Sequence, residues 1–377
     1  MLNRRNFSLG AGATLLAGVA TVRAQSAGKI VLGQSAPFSG PAAQLGTQFH
    51  LGAKLCFDQF NAQGGIGRQL VEIRKLDDGY EPARCAENTR QLLSQDVFAL
   101  FGYVGTDTSL AAMPLVKRDK VPFIAPFTGA LALREPFNKH AFHVRASYAD
   151  ETALIVRQLT NLGLKRIAVF HQNDGYGRAG LAGVTQALDK LSLKPLATAT
   201  VERNSVDVAP AVKALVAAGP DAVVQIGAYK ACAAFIRQAR KAGYGGTFYN
   251  VSFVGTQALA DELGKEGAGV VVSQVMPSPY NPARAIAREF VEAVKAAGQA
   301  DLQANFSSME GYVAARVLAE GLKRAGPKPT RESLVAGLEG IGTQSLGGFA
   351  LSFSASEHVG SRFVELSMLT GDGRVRT

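Results

Sequence analysis

Short apolar runs alternate with amphipathic stretches along nearly the whole chain. The apolar runs are Ile30–Leu32, Leu70–Leu76, Val97–Phe101, Pro122–Ala125, Ala141–Val144, Arg166–Phe170, Pro195–Val201, Ala222–Ile226, Thr247–Val251 and Gly269–Val275. Most show little polar alternation, which predicts parallel strands buried on both faces. Between them, Thr47–Gln63, Pro82–Ser94, Asp150–Leu162, Arg178–Leu191, Val208–Ala218, Tyr229–Lys241 and Pro282–Ala297 carry helical periodicity, and Asn305–Ala325 adds a long helix. The alternation predicts an α/β fold. There are too many strands for one modest sheet, so the expected architecture is two doubly wound parallel-sheet lobes joined by a hinge. The pattern breaks near Arg145–Asp150, Pro277–Pro282 and Gly342–Gly348. Three breaks make each lobe discontinuous: residues 28–145 with 279–342, and residues 146–278 with 343–377. The carboxyl ends of both sets of strands then face a shared cleft.

The first unit, Ile30 to Asp78, reads strand, long loop, helix, glycine turn, strand. Phosphate-binding loops are short and glycine-dense, because backbone N–H groups must crowd round the anion. This loop instead carries Ser35, Pro37, Phe38, Ser39, Gly40, Pro41 and Gln44. It suits an organic solute, with Ser35, Phe38 and Gln44 expected on the rim or wall of the cleft. The glycine turn Gly64-Gly65-Ile66-Gly67 leaves a helix and so has no claim on phosphate.

Composition changes the picture mainly at the amino terminus. Residues 1–24 read as an export signal: a charged start with Arg4-Arg5, a short Gly/Ala-rich apolar part, and a cleavage site at Val22-Arg23-Ala24. The paired arginines before Asn6-Phe7 resemble a twin-arginine signal, with an ordinary secretory signal as the alternative. The mature chain is expected to begin near Gln25, in the periplasm, without a lipid-attachment cysteine. The formal charge is +10, and removing Arg4, Arg5 and Arg23 leaves +7. The remaining cations are scattered singly over helix faces, which points away from nucleic acid. Three cysteines in an oxidising compartment leave two readings open: a Cys56–Cys85 bridge with Cys232 free, or three buried thiols.

Few residues offer catalytic chemistry. Gly175-Tyr176-Gly177-Arg178-Ala179-Gly180 matches G-x-G-x-x-G after a strand, with Glu202 near the end of the next strand, as a nicotinamide oxidoreductase would have. However, His171-Gln172-Asn173-Asp174 separate the strand from the first glycine, and Asp174 would repel a pyrophosphate. No G-x-S-x-G occurs, and His140 and His143 have no acid or cysteine beside them, so neither catalytic residue, metal nor cofactor is expected. The Asp77-Asp78 pair reads as a cap for the helix beginning near Pro82.

The loops after the strands are more informative. Gly102 to Ser109 and Ala125 to Ala130 gather hydroxyls and free N–H groups suited to a carboxylate. Asp174-Gly175-Tyr176-Gly177 and Gly227-Ala228-Tyr229 put tyrosines at strand ends of the other lobe. The ordered set APFSGPAAQLG, FDQFNAQGGIGRQLVEIRKLDDGYEP, FALFGYVGTDTS, VPFIAPFTGA, FHVRASYADE, NDGYGRAG and IRQARKAGYGG resembles the type I periplasmic binding proteins of the branched-chain amino-acid transport group, over nearly the whole mature chain. Repressors share that fold behind a DNA-binding segment, but here an export signal stands in its place.

The resemblance implies a monomeric, non-catalytic solute-binding protein that closes on a small carboxylate-bearing solute and docks on an ABC transporter permease. A sensor that reports occupancy to a receptor is the alternative. By the same resemblance, Thr106 holds the ligand carboxylate, Phe127, Thr128 and Gly129 form a second carboxylate loop, Tyr176 is an aromatic lid, and Ala228 or Tyr229 completes the opposite wall. Two departures stand out. Gly129 replaces a hydroxyl residue, and Ser252-Phe253-Val254-Gly255 lacks the acid that would pair a ligand ammonium. Because an unpaired buried ammonium is costly, an amine-free carboxylate, aromatic in view of Phe38, Phe127, Tyr176 and Phe253, rivals an α-amino acid. Asp107 is the one nearby candidate for the missing charge.

Overall fold

The computed structural model describes residues 28–377, so the export-signal reading of residues 1–24 lies outside the described residues. The first sheet is built from β1 (Lys29–Ala36), β2 (Leu70–Asp77), β3 (Ala99–Phe101), β4 (Phe123–Ile124) and β5 (Ala141–Phe142). Its helices are α1 (Ala43–Ala62), α2 (Pro82–Ser94) and α3 (Thr106–Asp119). All its pairings are parallel, in the order β2-β1-β3-β4-β5.

The chain then enters a second sheet through α4 (Tyr148–Asn161), β6 (Ile167–Gln172), α5 (Gly175–Asp189), β7 (Thr198–Val201), α6 (Ala209–Ala218), β8 (Ala222–Ile226), α7 (Tyr229–Lys241), β9 (Thr247–Asn250), α8 (Thr256–Leu263) and β10 (Val271–Gln274). After β10 it returns to cover the first sheet with α9 (Ala285–Ala297), α10 (Phe306–Ala325) and α11 (Arg331–Glu339). A hairpin of β11 (Gly342–Leu346) and β12 (Phe349–Phe353) follows, and the chain ends with β13 (Glu365–Leu369) and β14 (Val375–Arg376) in the second sheet.

Both sheets are doubly wound, as the apolar runs predict. The second departs from a purely parallel sheet, because β13 and β14 add an antiparallel edge beside β10. The stretch Gly342–Gly348, expected as a crossing between lobes, is β11 and the turn of a hairpin whose Phe353 ring meets Phe142 edge-on. The return to the second sheet comes after it. At the hinge, the His143 amide donates to the His358 carbonyl at 2.8 Å, and the Gly360 amide donates to the His143 carbonyl at 2.7 Å. Two connecting segments therefore run side by side.

The buried apolar residues form two clusters. The larger runs through both lobes, and the smaller lies under α2 and α3 on one face of the first sheet. Cys56 of α1 belongs to the larger cluster and Cys85 of α2 to the smaller. The two thiols therefore lie in separate cores, and the structure holds Cys56, Cys85 and Cys232 as free, buried cysteines instead of joining the first two.

Helix α10 is the most buried helix of the first lobe and lies directly on α1. The contact depends on glycine. A Cβ on Gly311 would run into the Phe49 carbonyl, and one on Gly52 into the Ser308 carbonyl. Backbone is on both sides, so the helices would have to move apart. Gly311→Ala is expected to cost about 1–3 kcal/mol, as overpacking of a tight core does. A urea midpoint that stays put in this variant would show that the helices part freely. Among the described residues, no helix is long and apolar enough to cross a membrane.

Candidate functional site

The carboxyl ends of the two sheets face each other, and the loops that follow them make the cleft. On the first lobe, Gly105 takes φ 106°, a left-handed backbone open to glycine, and starts α3 at Thr106. The Thr106 hydroxyl lies 2.7 Å from that of Thr128, which follows β4. Both threonines are buried. Thr128 Oγ1 also accepts from the Ala130 amide. At Gly129 a Cβ would press on the backbone and ring of Tyr148, so the hydroxyl residue expected from the resemblance has no room here. Thr106, Phe127, Thr128 and Gly129 are thus brought together.

The facing wall is aromatic. Phe253, in a 3-10 turn after β9, is fully buried and stands 4.5 Å from the Tyr176 ring, 5.6 Å from Phe127 and 5.9 Å from Tyr80. Tyr148 stands 5.3 Å from Tyr176. Rings from both lobes therefore interdigitate, and the structure is of a closed form. The space left at this wall is a cavity of about 10 Å³ beside Phe127, Ser252 and Glu310, room for about one water molecule. Hollows of about 740 Å³ and about 580 Å³ open to solvent along α5, the second bordered by Gly129, Tyr148 and Gly175.

Ala228 caps α7, and Tyr229 begins it. Burial pushes the Tyr229 hydroxyl pKa up, opposed by a hydrogen bond with the Gln44 backbone. Gln44, exposed at the start of α1, therefore meets the second lobe at the rim. Ser35 and Phe38 do not line the cleft. Ser35 is buried and donates to Asp78 at 2.7 Å. Phe38 packs edge-on to His50 with Lys75 over its ring.

The Asp77-Asp78 pair anchors this loop and caps nothing, since Glu81 occupies the N-cap of α2. Burial works to raise the Asp77 pKa, but the hydroxyl of Ser39 and the amides of Phe38 and Gly79 outweigh it and hold it at about 2. Asp78 is pushed up to about 6 by burial, against hydrogen bonds from Ser35 and the Tyr80 amide.

A polar clasp crosses the cleft. Asp107 accepts from the Gly175 and Tyr176 amides, both at 3.2 Å, at the amino end of α5. Arg203 lies 3.3 Å from Asp107 and 2.8 Å from Asp174. Asn204 reaches back to the Gly79 carbonyl and the Glu81 carboxylate. These contacts correct two expectations. Asp107 is committed to a helix amino terminus and a guanidinium, so it is not free to pair a ligand ammonium. The G-x-G-x-x-G turn has two of its N–H groups taken by Asp107, while Asp174 accepts from the Gly177 amide, so a pyrophosphate would meet two carboxylates.

The sequence pattern did not single out the charged cluster at the hinge end. Arg145, 1% exposed, follows β5 and lies 3.5 Å from Glu151 of α4 and 3.6 Å from Glu310 of α10. It donates to the Ser252 hydroxyl, and its guanidinium sits 4.7 Å from the Phe127 ring centre. Its Nε and Nη1 have no hydrogen-bond partner among the described residues. Burial works against its charge, but Glu310 and Glu151 outweigh that and raise its pKa. Glu151 accepts from the Ser252 amide at 2.7 Å, the Ser252 hydroxyl at 3.0 Å and the Ser273 hydroxyl at 2.6 Å. An acid thus does reach the turn after β9, but it comes from α4 and its acceptors are occupied. Nearby Arg134 donates from its two terminal nitrogens to the Thr128, Gly129, Arg145 and Ala146 carbonyls.

Comparison with known proteins agrees with this two-lobed arrangement. A family model described as periplasmic binding protein matches residues 29–373. An amino acid binding protein of Pseudomonas aeruginosa is 26% identical over 266 residues, covering 70% of this chain and 71% of that protein. The crystal structure of a possible leucine/isoleucine/valine-binding protein from Rhodopirellula baltica superposes with a TM-score of 0.88 at 34% identity, covering 93% of this chain and 96% of that one. A substrate-binding periplasmic protein from Ralstonia solanacearum gives 0.87 at 33% identity, covering 92% and 99%.

Proposed function

Because the chain belongs to the periplasmic binding protein family, we propose that it is the solute-binding component of an ABC importer. It works in the periplasm as a monomer and takes a small carboxylate-bearing solute, an amino acid or an amine-free carboxylate, between its lobes. The observation that carries this reading is the buried Thr106–Thr128 hydroxyl pair at strand ends, set against the Tyr176–Phe253 aromatic wall. Hydroxyls in a dry site bind a carboxylate by charge-assisted hydrogen bonds, and aromatic rings cover an apolar side chain. The closed cleft has room for about one water molecule. The solute therefore enters an open form and takes the space that the rings fill here, and closure around it makes the shape a membrane permease recognises. The named relatives, one an amino acid binding protein and one a possible leucine/isoleucine/valine-binding protein, support the solute class.

A thermal-shift screen of the mature chain against amino acids and their amine-free analogues tests the proposal, since a ligand bound by the folded state raises the melting temperature by mass action. For the solute found, Thr106→Ala is expected to weaken binding by about 1–3 kcal/mol in calorimetry. Unchanged affinity would remove Thr106 from the site.

A further inference from the structure

We propose that Glu310 is the cation acceptor of the cleft and takes the ammonium group of an amino-acid solute, so that amino acids are preferred to their amine-free analogues. The inference rests on the solute-binding reading above and adds the missing half of the ligand's charge. Glu310 lies on the second turn of α10, is 5% exposed and lines the small cavity together with Phe127, Ser252, Gln274, Met276 and Ser307. Its carboxylate makes no hydrogen bond among the described residues, and its ion-pair neighbour Arg145 stands at 3.6 Å, beyond hydrogen-bond distance.

A buried carboxylate normally accepts several hydrogen bonds. Glu151, its companion on the other side of Arg145, accepts three. Glu310 thus has the acceptor capacity that Glu151 has spent, and it directs that capacity at a space walled by both lobes. Phe127 forms part of that wall, and the next residue, Thr128, belongs to the hydroxyl pair. One loop therefore joins an anion-holding end and a cation-accepting end.

Charge favours the same assignment. Arg145 is the one guanidinium lying between Glu151 and Glu310, and more distant Arg134 is held by backbone carbonyls. Burial pushes Glu310 up to about 7, with Glu151 adding to the rise and Arg145 and Arg134 opposing it. An arriving ammonium would bring in a positive charge, whereas a second carboxylate would meet two acids.

The test titrates the mature chain with L-leucine, L-phenylalanine, 4-methylpentanoate and 3-phenylpropanoate. Amino acids are expected to bind more tightly than the amine-free acids, and Glu310→Gln to weaken them by roughly 30-fold or more, as loss of one partner of a buried charged pair does. The amine-free acids should be unaffected by the substitution. In the wild-type chain, amino-acid affinity should climb as pH rises through about 7, where Glu310 loses its proton. That profile keeps the test sound even if the variant folds poorly, and a merely structural Glu310 would not produce it. Amino acids bound equally by wild type and variant, or with no pH dependence, overturn the assignment. Binding of the amine-free acids alone overturns it while leaving the carboxylate reading intact. Binding of neither class defeats both.

Discussion

Arg145→Ala is expected to destabilise the protein by about 3–5 kcal/mol, the cost of removing one partner from a buried ionic group. The guanidinium is the shared counter-ion of Glu151 and Glu310, and all three side chains are almost wholly out of water. Without it, two carboxylates face each other across a dry space with only Arg134 nearby, and the Phe127 ring loses the cation above it. Lysine should not restore the loss, because a point charge cannot address two acids and the Ser252 hydroxyl as a planar fork does. Pairing the substitution with Glu310→Gln should recover part of the loss by removing one stranded charge. Urea unfolding of the four chains gives the comparison. A loss under about 1 kcal/mol for Arg145→Ala would place the neutralising charge elsewhere.

Phe253→Ala should act differently, on the balance between closed and open forms. A buried phenylalanine cut to alanine costs about 3–5 kcal/mol in a core. Phe253 touches Tyr80 and Phe127 of one lobe and Tyr176 of its own, so part of that cost falls on the contact between lobes. Even 3 kcal/mol would change a closed-to-open ratio by roughly 150-fold. The radius of gyration of the solute-free variant should therefore rise in X-ray scattering, while most of each lobe's packing persists. An unchanged scattering curve would mean that the Arg203–Asp107 and Asn204–Glu81 clasp holds the lobes without the rings.

The fold was largely legible because its strands are continuous apolar runs. Ala222–Ile226, Pro82–Ser94 and Tyr229–Lys241 coincide with β8, α2 and α7. The start of α3 is legible in Gly102–Ser109, but Pro114 within it masks its extent, and α8 is too short to show a period. The β11–β12 hairpin did carry a signal, since Phe349–Phe353 alternates buried and exposed residues after Gly347-Gly348. The site followed the same division. Thr106, Thr128, Phe127, Tyr176 and Phe253 converge because each stands just beyond a strand, and strand direction alone brings them to one side. Ser35 lies within β1 and Phe38 follows that strand, but Asp78 and Asp77 beside them take the Ser35 hydroxyl and the Phe38 amide. The Arg145–Glu151–Glu310 cluster joins the short stretch 145–151 to Glu310 of distant α10, a meeting that no local pattern encodes. Its one trace is Glu310 itself, a lone acid among the small and apolar residues that open α10.

The contact between α1 and α10 also bears on the order in which the protein is made. The wall that covers α1 is supplied by residues 306–325, and the second sheet receives β13 and β14 from the last residues of the chain. Neither lobe can complete its core from a nascent amino-terminal portion, because each waits for a segment synthesised near the end. Such distant pairings slow folding, since long stretches of chain must be ordered before they are rewarded with contacts. A chain shortened by its final quarter loses part of both lobes, so the two form a single unit of synthesis.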